Sequence, residues 1–306
     1  MASVWQLTLL IYPGKTSLSG VILDRGTSTS TASARTLRNA FAIASSYFRK
    51  TRSGSSLRAE WGGSSYTTQT DNRGSFYIET ELPLNQDDDL KLFLDDKPLP
   101  FDPEVRNIYE VGDKNDLIIS DIDDTVLVSH TNQRLKSVIT TVFRTYTQRK
   151  PVESTSKIFE AIGRQSDYFF VSRSEYNLFP LLSNFMKHNE LPRGPLFLTP
   201  FISFGELIKN KKDPEFKIKT INSLLDHAAH ENIYLFGDDT QHDLHVYAEV
   251  AKIHGDRIKR IFIRQTEPGT DRRQSSVWEE LNENSEKINY YNEHSDLAGI
   301  IRVLTE

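Results

Sequence analysis

Four short apolar runs in the second part of the chain constrain its fold more than any other feature. Stretches with helical periodicity separate these runs, which lie at residues 117–119, 168–171, 233–236 and 258–263. Continuous apolar runs of this length indicate strands buried on both faces, and helical connections between them are typical of a parallel, doubly wound α/β sheet. Ligands of such sheets bind beyond the carboxyl ends of the strands. The residues that follow each run are therefore the candidates for function. The predicted helices cover residues 135–146, 176–187, 216–228 and 244–253.

The first part of the chain has a different pattern, in which short β-branched and aromatic runs alternate with turn residues. This pattern predicts antiparallel strands in a small β-sandwich. The last hairpin, Thr70-Asp-x-x-Gly-x-Phe76, resembles one in transthyretin-like and carboxypeptidase-regulatory-like sandwiches. A hinge at residues 112–115 divides the chain into a sandwich domain, 1–112, and an α/β domain, 113–306. The predicted strands lie at residues 5–12, 18–23, 55–61, 66–70 and 75–82.

One segment of the sandwich domain, residues 31–52, has helical rather than strand periodicity. Its apolar residues Leu37, Phe41, Ala44 and Phe48 fall on one face of a helix. Such a helix can lie on an anionic membrane surface. It can equally pack on its own sandwich and leave a solvated basic face, and the sequence leaves both readings open. The polar side is purely basic, with Arg35, Arg38, Arg49, Lys50 and Arg52.

Composition excludes several classes of function. The chain has 37 basic and 42 acidic residues, for a net charge of -5, which argues against bulk nucleic-acid binding. Because it has no cysteine, it has no disulfide scaffold, thiolate chemistry or cysteine-ligated metal. No apolar run approaches the ~20 residues that span a bilayer, and the first residues do not resemble a signal peptide. We expect a cytoplasmic protein, with a peripheral position at the inner membrane face as the alternative if the basic helix binds lipid.

Acidic and hydroxyl residues follow the apolar runs of the predicted sheet. Asp121-Ile-Asp123-Asp-Thr125 follows the first run, Ser172 the second, and Gly237-Asp238 with Asp243 the third. Carboxylates so close together repel one another, a cost that is tolerated where a cation or a developing positive centre uses them. Lys217 begins a predicted helix between the second and third runs. These groups form the inventory for Mg²⁺-assisted phosphoryl transfer.

The order of these motifs resembles that of the haloacid dehalogenase (HAD) superfamily, which implies a HAD-like, Rossmann-like fold for the second domain. The finer resemblance is to the catalytic domain of the actin-patch-protein type of phosphatidate phosphatase. It extends over about residues 117–264, and the sandwich also looks like the domain that precedes the catalytic one in bacterial members. The residues that carry it are 120–126 with His130, 170–172 with 177–180, 192–196, 216–217, 237–247 and 260–264.

The resemblance implies a role for each catalytic group. Asp121 corresponds to the nucleophile that forms an aspartyl-phosphate, and Asp123 to the general acid and base. Ser172 would donate a hydrogen bond to a phosphoryl oxygen, and Lys217 would neutralise charge on the group being transferred. Four residues would hold Mg²⁺ through their oxygens, namely Asp121, the Asp123 carbonyl, Asp238 and Asp243.

The candidate substrate-binding residues are Thr125, Arg173 and Asn177, although Thr125 is also suited to fixing its loop. The family-implied substrate is phosphatidate at a membrane surface, and the product is diacylglycerol. The chain departs from the family pattern at Arg173-Ser-Glu-Tyr176 and at Asp239-Thr240. Both departures line the expected substrate mouth, so they leave the substrate open.

Several alternatives remain at this point. The substrate could be a soluble phosphometabolite or a phosphoprotein, or the chain could be a catalytically idle adaptor whose sandwich binds a partner. The sequence identifies no protein partner. Ser172 could instead cap a helix. Another lysine could take the place of Lys217, since Lys209, Lys211, Lys212 and Lys219 are nearby.

Overall fold

A computed structural model describes residues 2–24, 45–81, 89–129, 147, 149–203, 205–206, 215–239, 242–266 and 285–305. The backbone divides into two compact units. Unit 1 consists of Met1–Asp113, Ser174–Leu181 and Leu198–Lys212. Unit 2 consists of Lys114–Arg173, Leu182–Phe197 and Asp213–Glu306. Two short segments of the later chain therefore belong to unit 1.

Two four-stranded sheets form the β-structure of unit 1, with strand orders β5-β2-β1-β8 and β4-β3-β6-β7. Strands β1, β2 and β5 pair in antiparallel fashion, as do β3, β4, β6 and β7. β8 pairs with β1 in parallel, so the predicted sandwich is not wholly antiparallel. The bounds are β1 Ser3–Tyr12, β2 Lys15–Leu23, β3 Ser56–Trp61, β4 Ser64–Gln69, β5 Ser75–Thr80, β6 Lys91–Leu94, β7 Lys97–Pro98 and β8 Arg106–Glu110.

The core of unit 1 lies between these two sheets. Alternate residues of β3 and β5 are buried, as expected for strands that face a core on one side. Leu7, Leu57 and Phe76 belong to one apolar cluster that draws on both sheets. In the hairpin before β5, Gly74 has a φ of 72°, and a Cβ there would lie 2.6 Å from the Ile22 carbonyl oxygen. The turn therefore requires glycine.

A second apolar cluster of unit 1 joins early and late segments of the chain. The Trp5 and Phe201 rings meet edge to face with centroids 5.9 Å apart, and both residues pack with Val21 and Leu23. The Trp5 indole Nε1 donates a hydrogen bond to the Tyr176 carbonyl at 3.1 Å. These contacts bind residues 174–181 and 198–203 to the first strands.

The predicted basic helix lies mostly outside the described residues, which resume at residue 45. The backbone at residues 50–52 runs beside β2, where the Arg52 amide donates to the Ile22 carbonyl and the Asp24 amide to the Lys50 carbonyl. The prediction that the helix extends to residue 52 is therefore wrong at its end. Phe48, assigned to the apolar face of that helix, is 72% exposed.

The second part of the chain forms the predicted α/β sheet, with the strand order β11-β10-β9-β12-β13-β14. β9 pairs in parallel with β10 and β12, and β13 pairs in parallel with β12 and β14. Residues of β9 and β12 are buried almost without interruption, because helices cover both faces of such a sheet. The bounds are β9 Asp116–Ser120, β10 Asp167–Glu175, β11 Leu196–Thr199, β12 Asn232–Asp238, β13 Ile258–Arg264 and β14 Ile288–Tyr291.

Five described helices accompany this sheet. They are α1 Glu153–Ile162, α2 Phe179–His188, α3 Phe216–His227, α4 Asp243–His254 and α5 Leu297–Thr305. Three of them, α2, α3 and α4, confirm helices predicted from periodicity. The helix predicted at 135–146 lies outside the described residues. The sequence interpretation did not include α1, β11, β14 or α5.

Candidate active site

The candidate site begins where the central strands β9 and β12 end. Phe236 of β12 lies opposite Ser120 of β9 in the parallel register. The next residue, Asp121, donates its backbone amide to the Phe236 carbonyl at 2.8 Å. This hydrogen bond fixes the acidic loop after β9 against the strand that leads to Asp238.

Three buried carboxylates meet at these strand ends. Asp121 follows β9, Asp238 ends β12, and Asp243 begins α4. One carboxylate oxygen of each lies within 4.8 Å of the others, and the three residues are at most 1% exposed. The Asp243 Oδ2 also accepts a hydrogen bond from the Asp238 amide at 3.2 Å. Residues far apart in sequence thus form one acidic cluster.

Lys217 places its ammonium group within this cluster. It is the second residue of α3 and is 1% exposed. Its Nζ lies 2.8 Å from Asp121 Oδ1 and donates a short hydrogen bond to Asp243 Oδ1. In contrast, Lys219 is exposed and pairs with Glu215 on the helix surface. The other candidates, Lys209, Lys211 and Lys212, lie outside the described residues.

Burial and charge shift the pKa values of this cluster. Burial raises the pKa of Asp121 to about 8; the Lys217 ammonium lowers it, while the Asp243 and Asp123 carboxylates raise it. Burial would lower the pKa of Lys217, but its contacts with Asp121 and Asp243 outweigh this effect and raise it above the ordinary value. In the protein without a bound cation, Asp121 therefore resists ionisation while Lys217 stays charged.

The cluster has the properties of a metal site. The Lys217 ammonium contacts two of the three carboxylates, and Asp121 Oδ2 is buried without a hydrogen-bond partner among the described residues. A buried anionic oxygen without a partner is costly unless a cation binds it. The donors are all oxygens, the ligand type that hard divalent cations such as Mg²⁺ prefer. These residues could therefore hold a metal ion.

Asp123 and Ser172 lie together at the adjacent strand ends. The Ser172 hydroxyl donates a hydrogen bond to Asp123 Oδ2 at 3.1 Å. Ser172 itself is fully buried, whereas Asp123 is partly exposed. Asp123 is thus open to solvent or a ligand, while Ser172 orients its carboxyl group.

Thr125 is fully buried, and its hydroxyl oxygen has no hydrogen-bond partner in the described ranges. It lies in the tight turn of residues 123–127, in which the Val126 amide bonds to the Ile122 carbonyl. The burial of Thr125 fits its alternative role in shaping the loop.

A cavity of about 310 Å³ lies beside Lys217. Arg173 is in its wall, as predicted for a substrate-binding residue, but the sequence interpretation did not include its two histidines as site residues. The cavity gives a ligand a route toward the buried cluster and offers it cationic side chains. Its lining residues are Arg173, Glu215, Lys217, Ile218, His242, His245 and Val246.

Asn177, the third candidate substrate-binding residue, belongs to unit 1 and is fully buried. Its amide nitrogen donates to the Ser46 hydroxyl and the Ile202 carbonyl, each at 3.1 Å, and its Oδ1 accepts from the Ile202 amide at 2.9 Å. A contact with substrate would have to replace these hydrogen bonds. The side chain instead ties residues 177 and 202 together.

Close packing behind the cluster was not anticipated from the sequence. A Cβ at Gly237 would lie 2.6 Å from the Asp243 Cβ and 2.8 Å from the Tyr247 ring. The Tyr247 hydroxyl donates to the Phe236 carbonyl at 2.6 Å, which braces α4 against β12. The Gly237-Asp238 pair, which was noted as a motif, therefore needs its glycine so that Asp243 can approach the strand.

Residues 117–265 match the family model described as the catalytic domain of phosphatidate phosphatase APP1. This segment belongs to that family. It includes Asp121, Asp123, Ser172, Lys217, Asp238 and Asp243. The match confirms the predicted family and the predicted class of enzyme, a phosphatase catalytic domain.

An uncharacterized protein of Schizosaccharomyces pombe is 28% identical over 206 residues. The match covers 65% of this chain but only 31% of that longer protein.

Two solved structures show a weak resemblance to this chain. One is a Pnkp1/Rnl/Hen1 complex, with 14% identity, a TM-score of 0.33, and coverage of 54% of this chain and 53% of that chain. Another is a carbohydrate acetylesterase from Xanthomonas citri, with 10% identity, a TM-score of 0.29, and coverage of 92% and 66%. Among the described helices, none has the length and apolar character to cross a bilayer.

Proposed function

We propose that this chain is a Mg²⁺-dependent phosphomonoester hydrolase that works through an aspartyl-phosphate on Asp121, with phosphatidate as the family-implied substrate. The observation that carries the proposal is the buried cluster of Asp121, Asp238, Asp243 and Lys217 beside a cavity. The family of the matched segment supports the choice of reaction. We also keep the division into a sandwich domain, 1–112, and a catalytic domain, 113–306, as a proposal.

The reaction proceeds in two steps. A carboxylate oxygen of Asp121 attacks phosphorus, the ester P–O bond breaks, and Asp123 gives its proton to the departing alkoxide. Asp123 then takes a proton from water, which attacks the phosphorus of the aspartyl-phosphate and releases inorganic phosphate and free Asp121. Each turnover thus returns both carboxyl groups to their starting states. The hydrogen bond from Ser172 orients Asp123 for both proton transfers.

The remaining polar groups hold and balance charge. Mg²⁺, when bound by Asp121, Asp238, Asp243 and the Asp123 carbonyl, would supply positive charge next to the phosphoryl oxygens. Lys217 keeps the Asp121 carboxylate in place through a 2.8 Å contact and contributes its own positive charge. The Ser172 hydroxyl has one proton, so it would have to turn away from Asp123 in order to donate to a phosphoryl oxygen during transfer.

The volume of the cavity is relevant to the choice of substrate. At about 310 Å³ it lies at the small end of ligand pockets. This volume suits the phosphate and glycerol part of phosphatidate, whose acyl chains would stay outside in the lipid. It equally suits a small soluble phosphomonoester, which we retain as the second candidate.

Two exposed residues of unit 1 support contact with a lipid surface. Phe48 is 72% exposed and lies near the exposed Lys50. An exposed aromatic ring beside a cation favours the interface of an anionic membrane. Co-sedimentation with phosphatidate-containing vesicles should decrease in a variant that lacks Arg35, Arg38, Arg49 and Lys50. Equal sedimentation of the two proteins would contradict lipid contact through this region.

The decisive experiment measures phosphate release with and without Mg²⁺ from 4-nitrophenyl phosphate, dispersed phosphatidate and glycerol phosphate. Wild type should release phosphate only in the presence of Mg²⁺. The Asp121→Asn variant should release no phosphate with or without Mg²⁺. A preference for phosphatidate supports the lipid substrate, and a preference for glycerol phosphate the soluble one. An inactive wild type on all three would favour the adaptor reading and overturn the proposal.

A further inference from the structure

Arg264, the last residue of β13, connects the acidic loop to the C-terminal part of the chain. Its Nη1 donates a hydrogen bond to the Asp124 carbonyl at 2.8 Å. Its Nη2 lies 3.3 Å from Glu293 Oε1. The Arg264 side chain is only 13% exposed, whereas that of Glu293 is 40% exposed. One guanidinium group thus bridges a backbone carbonyl of the acidic loop and a carboxylate from outside the family-matched segment.

Glu293 also holds the start of α1. The Ser154 amide donates to Glu293 Oε2 at 3.0 Å, and the Ser154 hydroxyl donates to Oε1 at 3.1 Å. The residue before this helix, Val152, provides no side-chain cap. A carboxylate at this position satisfies an amide of the first helical turn and interacts favourably with the helix dipole. Glu293 therefore has fixed partners on two sides.

The segment that carries Glu293 is itself anchored to the sheet. Tyr291 lies opposite Arg264 in the register of β13 and β14, and its carbonyl accepts from the Gln265 amide at 2.8 Å. The Tyr291 and Thr155 hydroxyls share a buried hydrogen bond of 2.8 Å. The backbone at Glu293, two residues beyond Tyr291, is thus held in place by the sheet.

The loop that Arg264 holds has a conformation that needs support. Asp124 has a φ of 58°, a left-handed conformation that is costly for a residue with a side chain. Its amide donates to the Leu127 carbonyl at 2.7 Å, and its Oδ1 accepts from the Ser129 amide at 2.9 Å. Asp124 directly follows Asp123, so the orientation of the peptide at residue 124 helps to determine where the Asp123 carboxyl group lies.

We propose that Arg264 and Glu293 form a positioning clamp that fixes the acidic loop, and with it Asp123, for proton transfer. Neither residue touches the substrate; both act through the Asp124 backbone. The part of this inference that concerns proton transfer rests on the function proposed above. The part that concerns the loop stands on the hydrogen bonds alone.

Leaving-group chemistry distinguishes this clamp from a general contribution to stability. Departing 4-nitrophenolate needs little help from an acid, whereas the more basic phenolate of phenyl phosphate needs a well-placed proton. In Arg264→Gln and Glu293→Gln we expect kcat/KM to fall about 30-fold with phenyl phosphate but only about 3-fold with 4-nitrophenyl phosphate. Arg264→Lys should recover part of the loss. An equal fall with both substrates would overturn the positioning role.

Two matched variants serve as controls. Arg260→Gln removes a guanidinium from the same strand, where it donates a hydrogen bond to the carbonyl of the neighbouring Lys259. Glu286→Gln removes an exposed carboxylate from the C-terminal segment. Both controls should keep the ratio of the two kcat/KM values found in wild type. A control that changes this ratio as much as Arg264→Gln would contradict the clamp.

Hydrogen–deuterium exchange tests the loop without any activity. Peptides that cover residues 122–129 should exchange faster in Arg264→Gln and Glu293→Gln than in wild type, and at the wild-type rate in Arg260→Gln and Glu286→Gln. Unchanged exchange in Arg264→Gln would refute the clamp. If wild type hydrolyses neither aryl phosphate, the proposed function fails, and the exchange result still decides whether the clamp exists.

Discussion

The α/β sheet of unit 2 has a buried charge cluster at each end, and the two clusters differ in their balance. At the carboxyl ends of the strands, Asp121, Asp238 and Asp243 cluster, and Lys217 is the one cation that pairs with them among the described residues, through Asp121 and Asp243. At the amino ends, Asp167 accepts from Lys114 at 3.0 Å through Oδ1 and contacts His230 at 2.9 Å through Oδ2.

This difference separates a structural contact from a binding site. Both carboxylate oxygens of Asp167 have partners within the protein, so the amino-end cluster is complete as it stands. Within the part of the chain that the structure describes, Asp121 Oδ2 has no such partner, and the carboxylates at that end outnumber the ammonium groups. Burial therefore does not by itself identify a functional cluster. Buried negative charge that the protein's own cations do not balance does identify one.

Activity should show the largest contrast between the two clusters. Asp121→Asn should reduce kcat by roughly 10⁴-fold or more, because the nucleophile is lost. Asp167→Asn should stay within about 3-fold of wild type below its melting temperature, because only a supporting contact is lost. Phosphate release from 4-nitrophenyl phosphate with Mg²⁺ measures both. A comparable loss in Asp167→Asn would remove the distinction between the two ends.

Stability should show the opposite contrast. Asp167→Asn leaves the buried His230 and the ammonium of Lys114 without their anionic partner. We expect it to lower the free energy of unfolding by about 2–3 kcal/mol, less than for a fully buried pair because Lys114 is about one third exposed. Asp238→Asn should not lower it in the absence of divalent cations, since it removes one of several repelling charges. Urea unfolding in the presence of a chelator measures the stability of both variants. A larger loss of stability in Asp238→Asn than in Asp167→Asn would contradict the interpretation.

Packing sharpens the description of the carboxyl-end cluster. Gly237→Ala should force Asp243 away from the strand and destabilise the protein by about 1–3 kcal/mol, with weaker Mg²⁺-dependent activity. The control is Gly299→Ala in α5, where an added Cβ would meet nothing within 4 Å. Thermal unfolding should show little or no loss for the control. Equal melting temperatures for Gly237→Ala and wild type would show that the strand end tolerates a side chain.

The last test of the carboxyl-end cluster is the dependence of its stability on pH. Burial raises the pKa of Asp121 to about 8, above the value near 4 of an exposed carboxyl group. The folded state therefore binds this proton more tightly than the unfolded state. Stability without divalent cations should fall as pH rises from about 4 to about 8, by at most about 1.4 kcal/mol per pH unit for one proton.

Asp121→Asn should flatten this dependence, while Asp167→Asn should keep it. Chemical denaturation at a series of pH values with a chelator present measures the slope. The same slope in wild type and Asp121→Asn would assign it to another group.

Much of the fold could be predicted because the buried strands leave a strong local signal. The runs at 117–119 and 233–236 lie within β9 and β12, and their continuous burial is visible as uninterrupted apolar sequence. β6 and β14 were missed because each has only four residues, too few for a clear period. The parallel pairing of β8 with β1 depends on contacts about 100 residues apart, which no local pattern records.

The candidate site was predictable in its residue types but not in its supporting contacts. Because acidic residues follow two of the predicted strands, the sequence was sufficient to predict that Asp121 and Asp238 lie at one edge of the sheet. The bonds of Arg264 to Asp124 and Glu293 are set by tertiary geometry, although Arg264 stood in a recognised motif. The complete hydrogen bonding of Asn177 has the same origin.

The second apolar cluster of unit 1 affects how the molecule can be dissected. Trp5 packs on Phe201 and donates to the Tyr176 carbonyl, so the first strands depend on residues that follow them by more than 170 positions. A fragment that ends at Asp113 would expose the Trp5 indole, Val21 and Leu23 to water. Such a fragment should be prone to aggregation, and a protease cut near residue 113 should leave two pieces that remain associated until they are denatured.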